Sequence, residues 1–585
     1  MAWRQFLRHH GAEKPSDLDK VSNRFESLPF IYFLQNICVQ EVMELGDAFL
    51  SPADLDNERL QICLMLLRLD PANSIGYEAE VLELTRRRSI EEGVRQVDSS
   101  RVYVDVVGIE RWCQSTLEES FLRYLDYAGA GLQETVDELQ QQLVQIARKG
   151  HKLREIEDFL DSYDVSADSI LQDVIETAAT AFMTLPRYGL DAFLGSRVRH
   201  GSLEGIFRSR LEGLNLVTKI DSRTREYEAN EYWLSAIQFG DDAKRLGFSR
   251  ILGTLSKSVD VILDNAVGRY VYVRSDANQD GLISLWHSDE SKRQRLLRWV
   301  IQAKLTLAGQ GDVTLGQFVS YCAYTLFWPA LSTSLERVQR FAMEDLTNAL
   351  MKSLDDAERG AESLVSSPQL VGFKTRLRAA RTEVSNAAAK LASWFHLPSE
   401  PAKRSSYSLR TAIEIGVRST SLIWPNFNID VVDWKVEEAA NVTVLADAYE
   451  FINDVAYLIF GNIAKHSGYF DSKASNLDAP KVEIRISRES DRIQVCVDSP
   501  VASHVDMDNI RASVDKAKAD IAARRYDEVD RKKRGTGLVR MATTLNYEGD
   551  DDRTLDFGLV NETRFFVRFS LPLYALTKEH ANAAT

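Results

Sequence analysis

The sequence predicts a multidomain protein: a mostly α-helical N-terminal region, a helical hairpin, and then a C-terminal α+β sandwich. Three observations predict it. At 585 residues the chain exceeds what one hydrophobic core supports. From Met1 to about Thr333 apolar residues recur at helical spacing. After Pro398-Ser-Glu-Pro-Ala-Lys-Arg-Ser-Ser406, a linker by its Pro and Ser content, the apolar period shortens toward two. The expected divisions are helical domains over 1–130 and 131–333, the hairpin over 334–400, and the sandwich over 405–577.

Each element has its own signal. Leu60-Gln-Ile-Cys-Leu-Met-Leu-Leu-Arg-Leu69 is apolar nearly all round, which suits a buried helix. Arg101-Val-Tyr-Val-Asp-Val-Val107 reads as a short β-like connector. Glu134 to Tyr163 is an amphipathic run, with Leu139, Leu143, Ile146, Leu153, Ile156 and Leu160 on one stripe. Between Glu336 and His396 two helices flank Ser366-Ser-Pro-Gln369. The second aligns Phe373, Leu377, Ala380, Val384, Ala387, Leu391 and Trp394, the seam of an antiparallel hairpin or short coiled coil. That seam raises the expectation of a homodimer through 334–400. Past Leu409, strands are expected over Ile429–Val436, Val442–Leu445, Lys481–Ile486, Arg492–Val497 and Arg564–Leu571. Helices are expected over Asp447–His466, in a charged insert after Ser503, and near Leu538. Helices on one face of a mainly antiparallel sheet make the sandwich.

Three segments of this last domain carry chemistry. Gly461-Asn-Ile-Ala-Lys-His-Ser467 closes the long helix. An Asn carbonyl can ligate Mg²⁺ across phosphate oxygens, and Lys465, three residues on, offers an ammonium from the same face. The plain alternative is a polar helix end with cations set against the dipole. Val495-Cys-Val-Asp-Ser-Pro500 puts a carboxylate, Asp498, at a strand end. Its alternative is an Asp opening a Pro turn. Arg534-Gly-Thr-Gly-Leu-Val-Arg-Met541 leads into a helix whose N-terminus attracts an anion, with Gly535 and Gly537 permitting close backbone approach.

In order and spacing these segments resemble the N-box and the two glycine boxes of the histidine-kinase-like (GHKL) ATPases. The resemblance covers the C-terminal domain alone. It implies ATP and Mg²⁺ as ligands, with Asn462 on the metal, Lys465 on phosphate, and His466 and Asp498 near adenine. Arg534, Gly535, Thr536, Gly537 and Leu538 would form the phosphate loop. The match is degenerate: Pro500, Ala502 and Val539 stand where the pattern has glycines. Leu458 replaces the general-base Glu of hydrolytic members and cannot take a proton from water. The phosphoacceptor His motif of sensor kinases is absent, since the hairpin's histidine, His396, lies in His-Leu-Pro.

Composition sets the remaining expectations. A net charge of −15 argues against a whole-molecule nucleic-acid binder. Five widely spaced cysteines suit a reducing cytoplasm, and no segment has the apolar length of a membrane helix. The expected protein is a cytoplasmic, prokaryotic ATP-binding regulator whose helical region engages a protein partner. Two alternatives stand beside it. One is a non-binding scaffold of the same fold. The other is an RNA-cleaving effector acting through Arg197, Arg199, His200 and Arg208, a cluster that also reads as a helix end bonded into the interior. Asp276-Ala-Asn-Gln-Asp-Gly-Leu-Ile-Ser284 matches most of a calcium loop but ends on His287 where an acid belongs.

Overall fold

In the computed structural model the described residues are 2–45, 48–49, 51–99, 101–128, 168–199, 202–221, 224–275, 278–286, 292–309, 313–397, 407–427, 429–470, 481–523, 537–545, 554–561 and 563–577. The expected helix over Glu134–Tyr163 and the Pro398–Ser406 linker lie outside them.

A first small core gathers Trp3, Leu7, Leu18, Leu34, Ile62, Leu66 and Tyr77. Helix α1 (Pro52–Leu69) starts cleanly because Ser51 caps it, accepting from the Asp54 amide, and Pro52 takes the first helical position. Its Arg59 is buried. The guanidinium donates to the Leu34 and Cys38 carbonyls at 2.9 Å and to Glu80 on α2 (Ser74–Ser99), tying this end to the next helix.

One hydrophobic core then runs from Val102 to Phe395 and takes in Ile423 and Tyr457 from the C-terminal region. The boundaries expected at 130 and 333 fall inside it. It is built from α3 (Val106–Ala128), α4 (Ser169–Thr184), α5 (Ser202–Gly213), α6 (Asp242–Asn265), α7 (Lys292–Gly309) and α8 (Trp328–Phe341). Helices α9 (Thr347–Leu364) and α10 (Val371–Ala392) complete it as the expected hairpin. The seam from Phe373 to Trp394 is buried: α5 packs on it, α6 packs on α9 and reaches Phe373 through Phe248, and the Trp233 ring lies against Phe373 as well. The chain's own helices therefore cover the face that a dimer would use. Arg101 to Asp105 is not a strand. Val102 and Val104 drop into the core, and Asp105 caps α3 by accepting from the Gly108 amide at 3.0 Å.

The C-terminal domain opens with α11 (Leu409–Ile423), a helix that the sequence reading missed. Strands β1 (Val432–Val436), β2 (Val482–Glu489), β3 (Arg492–Pro500), β4 (Thr554–Asn561) and β5 (Arg564–Pro572) form one sheet in the order β1-β2-β3-β5-β4. Only β1 and β2 run parallel, which the crossover through α12 (Ala446–His466) permits. The expected strand at Val442–Leu445 shrinks to Thr443–Val444, paired outside this sheet with Tyr407–Ser408. Val482, Ile484, Ile486, Ile493, Val495, Val497, Val567, Phe569 and Leu571 turn one face inward to a core shared with α11, α12, α13 (Met507–Ala522, the helix expected after Ser503) and α14 (Gly537–Leu545). The opposite face is polar, carrying Lys435, Glu483, Arg485, Gln494, Asp498, Arg564 and Arg568. Among the described residues no helix is long and apolar enough to cross a membrane.

The covered seam gives a test. Leu377→Ala should cost about 2–5 kcal/mol of stability by leaving a cavity, seen as a lower urea midpoint. The native mass in sedimentation should not change. A shift to a smaller assembly would show that the seam is intermolecular.

Candidate nucleotide site

Helix α12 presents two working faces. Leu458, Ile459 and Ile463 turn toward the sheet and α14, whereas Asp454, Tyr457 and Lys465 turn toward the helical region. Asn462 meets the start of α14. A side-chain carbon added at Gly537 would lie 3.0 Å from the Asn462 Oδ1 and 3.1 Å from its Nδ2. A side chain there would push the amide aside by a few tenths of an ångström, so glycine leaves the space between them open, and the N-box asparagine and the last glycine of the third motif form one cradle. Leu538 packs half-buried on the domain core, and Val539 is fully inside it. Arg534, Gly535 and Thr536 lie outside the described residues.

Asp498 is not part of that cradle. Its neighbours on β3 divide by parity: Val495 and Val497 face the helices, and Gln494, Cys496 and Asp498 face away. On the outer face Asp498 accepts from the Arg564 Nε. Glu483 stands directly across from it on β2. The inward position at this strand end belongs to Ser499, which is buried. After β3 the chain turns back onto α12, where the Ala502 amide donates to the Ser467 carbonyl at 2.8 Å. Gly468, at φ +78°, ends the helix and lets Ala502 come close.

Lys465 and His466 sit in a cleft of about 260 Å³ between the two regions, with Glu204, Lys219, Asp260 and Trp424 among its walls. Lys465 donates to Glu204 Oε2 at 2.5 Å. Protein atoms crowd the His466 ring, and that shielding, with Lys465 and Lys219 near, pushes its pKa down to about 4 against the pull of Glu204. His466 is exposed at the surface of the cleft, and the downward direction of the shift favours a neutral imidazole at pH 7. Leu458 is buried among apolar neighbours, and His396 pairs with Gln339 at 3.2 Å.

One arginine of the helical region's cluster, Arg197, makes a joint between the two halves. A π-helical turn, Gly195–Arg199, aims Arg197 at α12. Arg197 donates to both oxygens of Asp454, Nε to Oδ1 at 3.0 Å and Nη2 to Oδ2 at 2.9 Å. The rings of Tyr103 and Phe193 lie 4.8 and 5.0 Å from its guanidinium carbon. Ser202 bonds Tyr457, and Arg101, buried over the Trp394 and Tyr457 rings, donates to the Arg197 carbonyl at 2.7 Å. Arg199 is held by Asp191 at 2.6 Å, and Arg208 by Asp260 at 2.7 Å and by Glu212. These arginines serve internal bonds; His200 lies outside the described residues. In the calcium-like loop Asp280 is engaged by Arg269 at 2.5 Å, and Asp276 and His287 are outside the described residues. Asp454, Tyr457 and Glu204 were not singled out from the sequence. A charge inside the apolar run Phe451 to Phe460 was the available signal, because such a charge needs a partner.

With this geometry in place, comparison with known proteins is direct. The Y4jQ family model matches residues 111–395. The model described as "y4jQ C-terminal putative histidine kinase domain" matches residues 408–571. The helical region thus matches the Y4jQ family, and the last third matches the C-terminal domain model of the same family. It is similar to an uncharacterized protein, y4jQ, of Sinorhizobium fredii, being 24% identical over 553 residues. That match covers 94% of this chain and 50% of the relative, so the chain spans about half the length of the relative it matches. The two family matches meet across the Pro398–Ser406 linker, and the Arg197–Asp454 pair joins the regions they describe.

Two measurements test this geometry. Arg197→Ala leaves Asp454 charged and buried without its partner, and should destabilise the protein by about 3–5 kcal/mol in chemical unfolding. A loss below 1 kcal/mol, roughly the value of an exposed pair, would refute the buried-pair assignment. For His466, the unfolded chain takes a proton near pH 6.5 and the folded chain only near pH 4. Between those values the unfolded state holds more protons, so stability falls as pH drops from about 6.5 toward 4. Replacing His466 with Gln should flatten that fall. Equal slopes for wild type and variant between pH 7 and pH 5 would contradict the shielded imidazole.

Proposed function

We propose that the Y4jQ C-terminal domain binds ATP with Mg²⁺ and that its occupancy is passed to the helical region, which makes the protein a nucleotide-responsive regulator. The observation that carries this reading is the cradle of Asn462 and Gly537, two motif residues 75 positions apart brought into contact. The fit is good at the phosphate end. The Asn462 amide oxygen would hold the Mg²⁺, which neutralises phosphate charge when bound, and the first amides of α14 would face the phosphates. Lys465 adds a cation from the next turn of α12.

At the base end the fit is altered. Asp498 lies on the wrong face of the sheet to receive an adenine amino group, and the inward Ser499 hydroxyl takes its place beside the segment from Pro500 to Ala502. Leu458 supplies no base for water, so the domain is read as a binding switch rather than a hydrolase. A partner or signal would act on the helical region. A homodimer through 334–400 would have to use the outer faces of the hairpin.

Calorimetry with Mg²⁺ and ATP tests the proposal. Wild type should bind saturably, and Asn462→Ala and Gly537→Ala should each weaken binding about tenfold or more. Asp498→Asn should leave affinity within about twofold, below the ~1.4 kcal/mol of a tenfold change, and lower stability slightly through Arg564. No saturable binding by wild type up to millimolar ATP would exclude the reading and favour a non-binding scaffold.

A further inference from the structure

The cleft at the end of α12 contains a contact that competes with the nucleotide reading. Lys465 lies three residues beyond Asn462, so the two side chains are neighbours on the helix surface. Swung back along the helix toward Asn462, the Lys465 ammonium would reach a phosphate held by the Asn462–Gly537 cradle. In the structure that ammonium is instead bonded to Glu204 Oε2 at 2.5 Å. Glu204 stands in the first turn of α5, where the helix dipole favours its negative charge. It is an oxyanion placed on the lysine that a phosphate would need.

The strength of this contact differs from that of the rest of the joint. The Lys465 and Glu204 side chains are 33% and 32% exposed, whereas Arg197 and Asp454 are 4% and 11% exposed. Solvent screens the first pair and makes an exchange of partner cheap. Separation of the second leaves charges stranded in the interior. One contact of the seam is thus exchangeable while its neighbour holds the two regions together.

We propose that Glu204 is a built-in competitor for the phosphate of the nucleotide. ATP takes Lys465 from Glu204 and so releases α5 locally, with Arg197–Asp454 remaining as the pivot. The proposal rests on the reading of this domain as an ATP binder, and it names the step by which occupancy reaches the helical region. Linkage makes the coupling reciprocal: anything that pulls α5 away from α12, including a partner on the helical region, raises affinity for ATP.

The experiment uses the full chain, with Mg²⁺ and ATP as the probe. Calorimetry compares wild type with Glu204→Gln and with Glu176→Gln, a charge removal elsewhere on the helical body that controls for net charge. Hydrogen exchange across Ser202–Gly213 is followed in wild type with and without ATP. Glu204→Gln should bind ATP about fivefold or more tightly than wild type, and the control should match wild type. ATP should speed exchange of α5 in wild type. Saturable binding by wild type with equal affinity in Glu204→Gln, or with α5 exchange unchanged by ATP, overturns this proposal and leaves the ATP reading standing. Absence of binding in both wild type and Glu204→Gln overturns both.

Discussion

The arrangement of this protein depends on one buried ion pair, Arg197 with Asp454. Each charge sits where water cannot solvate it, on an element from a different region of the chain. Desolvation makes either charge alone costly, so each region presents a surface that is unfavourable without the other. The bidentate geometry and the flanking Tyr103 and Phe193 rings also fix the angle at which α12 meets the helical body. Arg101 locks the turn that carries Arg197 by donating to its carbonyl. The C-terminal domain is therefore docked in a defined register, and the end of its N-box helix faces α5 as a consequence.

Close backbone approach makes this docking possible. A side-chain carbon at Gly205 would fall 2.5 Å from Ile423, and one at Gly93 would fall 2.2 Å from Ile415. Both glycines lie on helices of the N-terminal half and receive side chains of α11. Glycine costs helix stability, so its presence in two helix interiors is explained by the contact rather than by propensity. The Arg86 to Glu414 pair and the Tyr449 hydroxyl on the Gly93 carbonyl extend the same contact along α2. The α11 that the sequence reading missed is the element most engaged here.

The sheet shows how little separates a site residue from a surface one. In a strand a single step changes the face, so Asp498 and Ser499 lie on opposite sides of the domain. The motif is recognisable by its letters, yet parity counted from Val495 and Val497 sends the carboxylate outward to Arg564. That count was available in the sequence, because Ile493, Val495 and Val497 already mark the inward phase. Asn462 and Gly537 lie side by side in the structure, at a helix end and a helix start, where small errors of register matter less. Lys465 was expected as a cation for phosphate, whereas its bond in the structure is to Glu204, 261 positions away. No local pattern encodes that distance.

By itself the sequence determined the helical character of the first two-thirds, the hairpin and its seam, and, apart from α11 and β4, the order of helices and strands in the last domain. It also determined the three motifs that identify that domain. These follow from apolar period and backbone chemistry, which act over a few residues. The tertiary structure alone decided that the hairpin seam is an internal core, that Arg197 is a joint, and that Lys465 is held by a carboxylate. Those outcomes come from desolvation of charges between distant segments. Such a term has no local signature, because its sign depends on which partner the fold brings within bonding distance.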